Sequence, residues 1–193
     1  MTTTLDSVLR AGLTRQGDAG SLTLDPRLSG LPDTAHGGTV LAAFHALAKV
    51  DGAQRVLGTY RKRVPLDTAL GVTLTSEDGH PEYRLVDATG AVLVDGGVEP
   101  AGVALVGDGV TSMGDAAPAD GGGEPLPVSS TCVACGVDNA LGLQAQLRFD
   151  DERVWTRWIP GETAAREGGS LAPIALTVLL DESAFWLGAL ASG

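Results

Sequence analysis

Two apolar segments of helical length, each entered through a turn of small residues, constrain this chain's fold more than any other feature. The first, Thr39 to Val50, is entered through Leu31-Pro32-Asp33-Thr34-Ala35-His36-Gly37-Gly38. The second, Ile174 to Leu190, is entered through Gly168-Gly169-Ser170-Leu171-Ala172-Pro173. They read as two copies of one turn-then-helix device. Nine residues past His36 stands His45, and nine residues past Ala172 stands Asp181, within Leu179-Leu180-Asp181-Glu182. One copy keeps the glycine-rich entrance without an acid, and the other keeps the acid without that entrance.

Between the helices the pattern changes to period two. Val56 to Val64, Leu70 to Leu74, Glu82 to Val86 and Ala91 to Val94 predict consecutive antiparallel strands, with turns at Pro65-Leu66-Asp67, Asp78 to Pro81 and Asp87 to Gly90. Val103 to Val106 could extend the last of them. A helix followed by such a meander is an α+β unit. Ser21 to Asp25 predicts a short strand stopped by Pro26, and Asp33 or Thr34 is placed to cap the first helix. Residues 1–20 predict a peripheral segment with a short amphipathic helix carrying Leu5, Val8, Leu9 and Leu13.

Residues 107–130 are rich in Gly and Pro and read as a flexible linker. Beyond them Leu141 to Phe149 and Arg153 to Ile159 predict a hairpin turning at Asp150-Asp151, followed by the second helix. No strand run follows that helix. The expected organisation is thus a peripheral segment (1–20), a first unit (21–106), a linker (107–130) and a partial second unit (131–193).

A net charge of −11 and a sequence pI near 4.5 argue against nucleic-acid and anionic-membrane partners. The 2 cysteines, Cys132 and Cys135, imply no disulfide framework, so a reducing cytoplasm is expected. No apolar run in the first thirty residues suggests a signal peptide. Leu171 to Ala191 has the length of a membrane span, but Asp181 and Glu182 at its centre would each cost about 2.5 kcal/mol there. A buried helix of a soluble protein is the expectation.

The glycine-rich entrance suits either a turn needing small residues or a carbonyl-binding helix N-terminus, whose first N–H groups lack intrahelical acceptors. Helix geometry sharpens the second reading. A residue eight positions past Gly37 lies about 12 Å along the axis, out of reach of a group bound at its own N-terminus. An acid at that depth serves a neighbouring antiparallel helix, so side-by-side helices would place Asp181 beside Gly37. The other crossed pair would join His45 to Pro173, which has no N–H to donate.

Asp181 in an apolar helix is either a functional acid or an ion-paired structural one. Glu182, about 100° further round, reads as a solvated rim charge. His45 reads as a packed histidine, and His80 lies in a turn without a role. Arg61, Lys62 and Arg63 form a basic cluster in which Arg61 and Arg63 share a strand face. They could grip phosphates of an extended ligand or protect a sheet edge. Cys132-Val133-Ala134-Cys135 invites a zinc or redox reading, but without a second pair or well-spaced histidines no metal is assigned.

Two motifs resemble the hotdog-fold thioesterase superfamily. His36-Gly37-Gly38 with its helix and Val64-Pro65-Leu66 looks like that family's entrance and following strand. Cys132-x-x-Cys135-Gly136-x-x-Asn139-x-x-Gly142-Leu143, followed by Leu180-Asp181-Glu182, looks like the start and helix of a second unit of its phenylacetyl-CoA thioesterase-like branch. The resemblance implies a tandem (double) hotdog fold with an incomplete second unit, in which an antiparallel sheet wraps a central helix. It implies an acyl-CoA or acyl-carrier thioesterase in which the Gly37 N–H polarises the thioester carbonyl and Asp181 is nucleophile or general base. His36 would shape the turn, with Gly38, Arg61 and Arg63 as substrate-binding residues. It implies no cofactor beyond the coenzyme A of the substrate, and a homo-oligomer is expected because an isolated apolar helix should associate. The rivals are a non-catalytic acyl-binding or assembly module and a hotdog hydratase. In the family an asparagine or glutamine often stands seven residues before the oxyanion glycine, where this chain has Gly30.

Overall fold

The computed structural model describes residues 2–48, 52–77, 80–101, 122–150, 153–165 and 169–192. Helix α1 (Leu5–Ala11) opens on a capping box between Thr4 and Ser7. The hairpin β1 (Leu13–Gln16) and β2 (Ala19–Leu22) follows, then a short pair, β3 (Ser29–Leu31) and β4 (Thr34–Ala35). Next come α2 (Gly37–Ala48) and strands β5 (Gln54–Tyr60), β6 (Leu70–Glu77), β7 (His80–Val86) and β8 (Val92–Pro100). Strands β9 (Glu124–Pro125), β10 (Arg148–Phe149) and β11 (Val154–Trp155) precede helix α3 (Pro173–Ala191).

The main sheet has six strands in the order β1-β2-β6-β7-β8-β5, and every neighbouring pair is antiparallel. The four predicted strands all exist, but they do not form a simple meander. Strand β5 pairs with β8, through Val56 opposite Val98, and β6 pairs with β2, through Leu22 opposite Leu70. Residues 1–20 differ from their expected peripheral role. Leu5, Val8 and Leu9 of α1 are buried, and β1 and β2 extend the sheet.

Helix α2 lies on the sheet and buries Val40, Ala43, Phe44 and Leu47, a face of three- and four-residue spacing. Phe44 stacks on Tyr83 of β7 with ring centroids 5.2 Å apart. Burying a side chain such as Phe44 contributes about 1.5–3 kcal/mol. The buried apolar residues of the two sequence halves belong to one cluster, which joins Phe44 and Leu85 to Val133, Leu141, Ile174 and Val178.

Part of the expected linker is structured. Glu124–Pro125 pairs with β10, which pairs with β11, so the expected strand pairing exists in shortened form, while Asp151 lies outside the described residues. Val103 to Val106 and most of the linker lie outside the described residues. Helix α3 buries Ile174, Ala175, Val178 and Glu182, whereas Leu180 is 68 % exposed and Phe185 55 %. This corrects the expectation of a buried helix: only 22 % of its most apolar window is buried. By length and composition alone α3 could cross a membrane.

Candidate functional site

The site is built where three chain segments meet: the β3–β4 turn into α2, the cysteine turn, and the middle of α3. Backbone pairing fixes the first segment. Ala35 N–H donates to Val64 O at 2.9 Å and His36 N–H to Leu28 O at 2.9 Å, so Val64-Pro65-Leu66, expected in a strand but placed in the β5–β6 connection with an isolated bridge from Pro65 to Thr34, anchors the helix entrance. Neither Asp33 nor Thr34 caps α2. The residue before the helix is His36, whose Nδ1 lies 3.1 Å from Gly38 N and accepts its proton as a side-chain cap.

That bond sets the neutral tautomer. With Nδ1 accepting, the proton sits on Nε2, which donates to Glu182 Oε2 at 3.1 Å. Glu182 Oε1 accepts from the Trp186 indole N–H at 3.0 Å. Glu182 is therefore a buried, doubly bonded acid and not the solvated rim charge expected from its rotation about the helix. On the other side of the imidazole, Asp181 Oδ2 lies 3.3 Å from Nδ1, and this carboxylate is 29 % exposed. Burial disfavours charge on His36, but the hydrogen bond it donates to Glu182 and the field of Asp181 outweigh it and raise its pKa above 6.5. Burial likewise works against ionisation of Glu182, and the His36 bond overcomes it, holding its pKa below the ordinary 4.5.

Gly37 faces Asp181, the crossed pair that helix geometry predicts. A Cβ added at Gly37 would lie 2.7 Å from Asp181 Oδ2 and 2.9 Å from Oδ1, and one added at Gly38 would lie 2.5 Å from Thr177 O and Val178 Cα. Paired glycines thus let the start of α2 touch α3 one turn before and at the acid. Gly37 N–H is the first of its helix and has no acceptor among the described residues. Its carbonyl accepts from Tyr60 Oη at 2.6 Å, a contact without a sequence signal.

The cysteine turn is stitched beneath this entrance. Val133 N–H donates to Ser29 O at 2.7 Å, and Ser29 Oγ to Thr131 O at 2.9 Å. Buried Asn139 donates to Arg27 O and Thr131 O and accepts from Leu141 N–H, so all three bonds serve the turn. Gly136 fits because any Cβ would strike Cys132 O and Ser130 O at 2.5 Å. Both cysteines are buried and reduced. The Cys135 thiol donates to Cys132, lowering its pKa to about 6 against the opposing effect of burial, and the same bond pushes Cys135 upward.

A cavity of about 180 Å³ joins these parts, with Gly37, His36, Asp181 and Glu182 in its walls beside apolar Leu31 and Phe185. A larger cleft of about 500 Å³ near Arg10, Arg15 and Leu47 contains no acid, histidine or cysteine, so chemistry and not size marks the site. Gly30 also lines the small cavity. A Cβ there would lie 3.0 Å from His36 Cα and 3.2 Å from its ring, so the inward histidine leaves no room for a side chain at 30.

Two expected contributors lie differently. Strand β5 ends at Tyr60, and Arg61 follows it in a bend, where its guanidinium grips Asp95 at 2.9–3.3 Å. Arg63 is exposed and has no ion pair among the described residues. His45 is half-buried on α2, and Pro173 opens α3.

No family model matches the chain, and no curated protein does. Solved structures match. A candidate thioesterase II from Thermobifida fusca is 12 % identical with a TM-score of 0.56, over 94 % of this chain and 72 % of its own. A conserved protein of unknown function with a hot dog fold from Alicyclobacillus acidocaldarius is 13 % identical with a TM-score of 0.56, over 88 % of this chain and 66 % of its own. The thioesterase superfamily protein RHA08564 is 24 % identical over 45 % of this chain, with a TM-score of 0.38. The chain spans 53 % of the length of RHA08564. With its antiparallel sheet packed on α2 and its likeness to the Thermobifida fusca and Alicyclobacillus acidocaldarius structures, the chain has the hotdog fold.

Proposed function

We propose that this protein is a hydrolase of acyl thioesters, acting on acyl-CoA or acyl-carrier substrates at the Gly37–Asp181 site. The observation that carries the reading is an N–H without an acceptor beside a carboxylate, across two helices and inside one cavity. A thioester carbonyl oxygen placed against Gly37 N–H meets the positive end of α2, so charge developing on that oxygen is stabilised. Asp181, only partly shielded from solvent, then attacks the carbonyl carbon directly or takes a proton from an attacking water. The thiolate of the leaving group departs; after direct attack a water then hydrolyses the acyl anhydride on Asp181, so on either route the second product is the free acid.

His36 supports both partners. As a neutral cap it fixes the first turn of α2 through Gly38 N–H, and its ring separates Asp181 from Glu182. Leu31 and Phe185 at the rim suit an apolar acyl chain or the pantetheine arm. Arg63 remains available for a coenzyme A phosphate, whereas Arg61 would first have to leave Asp95.

Release of free thiol from acyl-CoA, measured for the wild type and Asp181→Asn, tests the reading. Wild-type turnover with loss in the variant supports hydrolysis. Binding of acyl-CoA by both proteins with turnover by neither supports the acyl-binding alternative.

A further inference from the structure

Beside the Gly37–Asp181 pair, and sharing His36 with it, lies a cluster whose cysteines and Glu182 hydrolysis does not use. His36, Cys132 and Glu182 are all buried, and one ligand atom from each lies within 4.8 Å of the others. Cys135 lies outside that 4.8 Å group, but it is buried in the same turn and its thiol hydrogen-bonds both Cys132 and the Glu182 carboxylate, which makes it the next available donor. We propose that His36 Nε2, Cys132 Sγ, Cys135 Sγ and a Glu182 oxygen form a tetrahedral site for a borderline divalent cation such as zinc.

The donor set fits the metal. Two sulfurs, one imidazole and one carboxylate are ligands zinc accepts, at about 2.3 Å for sulfur and about 2.0–2.2 Å for nitrogen and oxygen. Tetrahedral geometry then asks for edges of roughly 3.3–3.8 Å between donors. The His36 Nε2 to Glu182 Oε2 distance of 3.1 Å is already near that edge, whereas Cys132 starts from within 4.8 Å and Cys135 from outside that group, so the cysteine turn must close on the ion.

The turn prepares the sulfurs. Ala134 N–H points at Cys132 Sγ at 3.3 Å, and the Cys135 N–H donates to the same atom. Amide donors of this kind stabilise a thiolate, the form that binds metal. Charge balance points the same way, because a divalent ion would compensate the buried Glu182 carboxylate and a Cys132 thiolate that otherwise depend on one imidazole.

Protons balance as follows. Each thiol still protonated releases one proton to solvent when the ion binds. The imidazole proton moves from Nε2 to Nδ1, which exchanges its bond from Gly38 N–H for donation to Asp181 Oδ2, 3.3 Å away. Asp181 thereby becomes the carboxylate that orients a metal-bound histidine. The sequence alone assigned no metal because Cys132 and His36 lie far apart in the chain.

The test is a cobalt(II) titration of reduced, chelator-treated full-length protein. One equivalent should bind with intense visible bands of tetrahedral cobalt and a near-ultraviolet thiolate-to-cobalt band, and zinc should erase both. Cys132→Ser with Cys135→Ser should abolish the thiolate band while circular dichroism stays unchanged. Asp181→Asn should keep the band and weaken affinity about 10–100-fold. A wild-type spectrum no different from cobalt in buffer overturns the site, and so does a double serine variant that binds with an unchanged spectrum. The wild-type titration decides without any variant having to fold and without reference to hydrolysis.

Discussion

Gly37 and Asp181 come together from opposite ends of the sequence so closely that a single added methyl group at residue 37 would sit 2.7 Å from the Asp181 carboxylate. The contact exists because Gly38, the next residue, lets α2 rest directly on the backbone of Thr177 and Val178. Two adjacent glycines thus do different jobs, one admitting the Asp181 carboxylate and one the backbone of α3.

Substitution separates those jobs. Gly37→Ala pushes on the end of a partly exposed side chain, which can rotate away. Thiol release should fall at least tenfold while thermal stability changes little. Gly38→Ala meets backbone at 2.5 Å, so the helices must part, at a cost of about 1–3 kcal/mol from overpacking. Denaturant melts of the two variants check this contrast.

The His36–Glu182 pair predicts a bell-shaped contribution to stability. His36 has a raised folded pKa, so its contribution is complete below its ordinary 6.5 and fades as pH rises through the raised value. Glu182 has a lowered folded pKa, so its contribution is complete above its ordinary 4.5 and fades as pH falls through the lowered value. Both are present together between about pH 4.5 and 6.5. Glu182→Gln should lose about 1–3 kcal/mol in that window, with a flatter stability profile across it. Urea melts at a series of pH values read the difference.

Tyr83 offers a change in the opposite direction. Its hydroxyl is buried without a hydrogen-bond partner among the described residues while its ring stacks on Phe44. Tyr83→Phe removes the unsatisfied oxygen and keeps the stack, so stability should rise by up to about 1 kcal/mol. A midpoint shift at unchanged denaturant slope checks it.

Asn139 ties the cysteine turn to Arg27, in the Pro26–Leu28 turn that precedes β3. Asn139→Ala frees two carbonyls and one amide at once, and should cost about 2–3 kcal/mol. Thiol release should fall in proportion to the folded fraction, as a comparison of activity with circular dichroism will show.

The crossed helix pair was legible in the sequence because helical rise fixes how far a residue can reach, and residue 45 cannot serve residue 37. The role of Glu182 was not. Its rotation away from Asp181 pointed to solvent only while nothing was known to occupy that side, and the cysteine turn fills it. His36 was read as shaping the turn, but its two ring nitrogens find partners through contacts between residues over a hundred positions apart. The strand order had the same blind spot. Period-two patterns identify β5 to β8, but pairing of β5 with β8 depends on which edge remains open after β2 occupies β6. Residues 1–20 looked peripheral because four leucines and valines in a polar run do not reveal the core they face.

The most direct test of the central claim is steady-state release of coenzyme A from a panel of short, long and aromatic acyl-CoA substrates, by wild type and by Asp181→Asn. The account predicts turnover by the wild type on at least one substrate. It also predicts a loss of about 100-fold or more in kcat for the variant, with acyl-CoA binding retained. Equal turnover by both proteins, or none by the wild type on any substrate it binds, would contradict it.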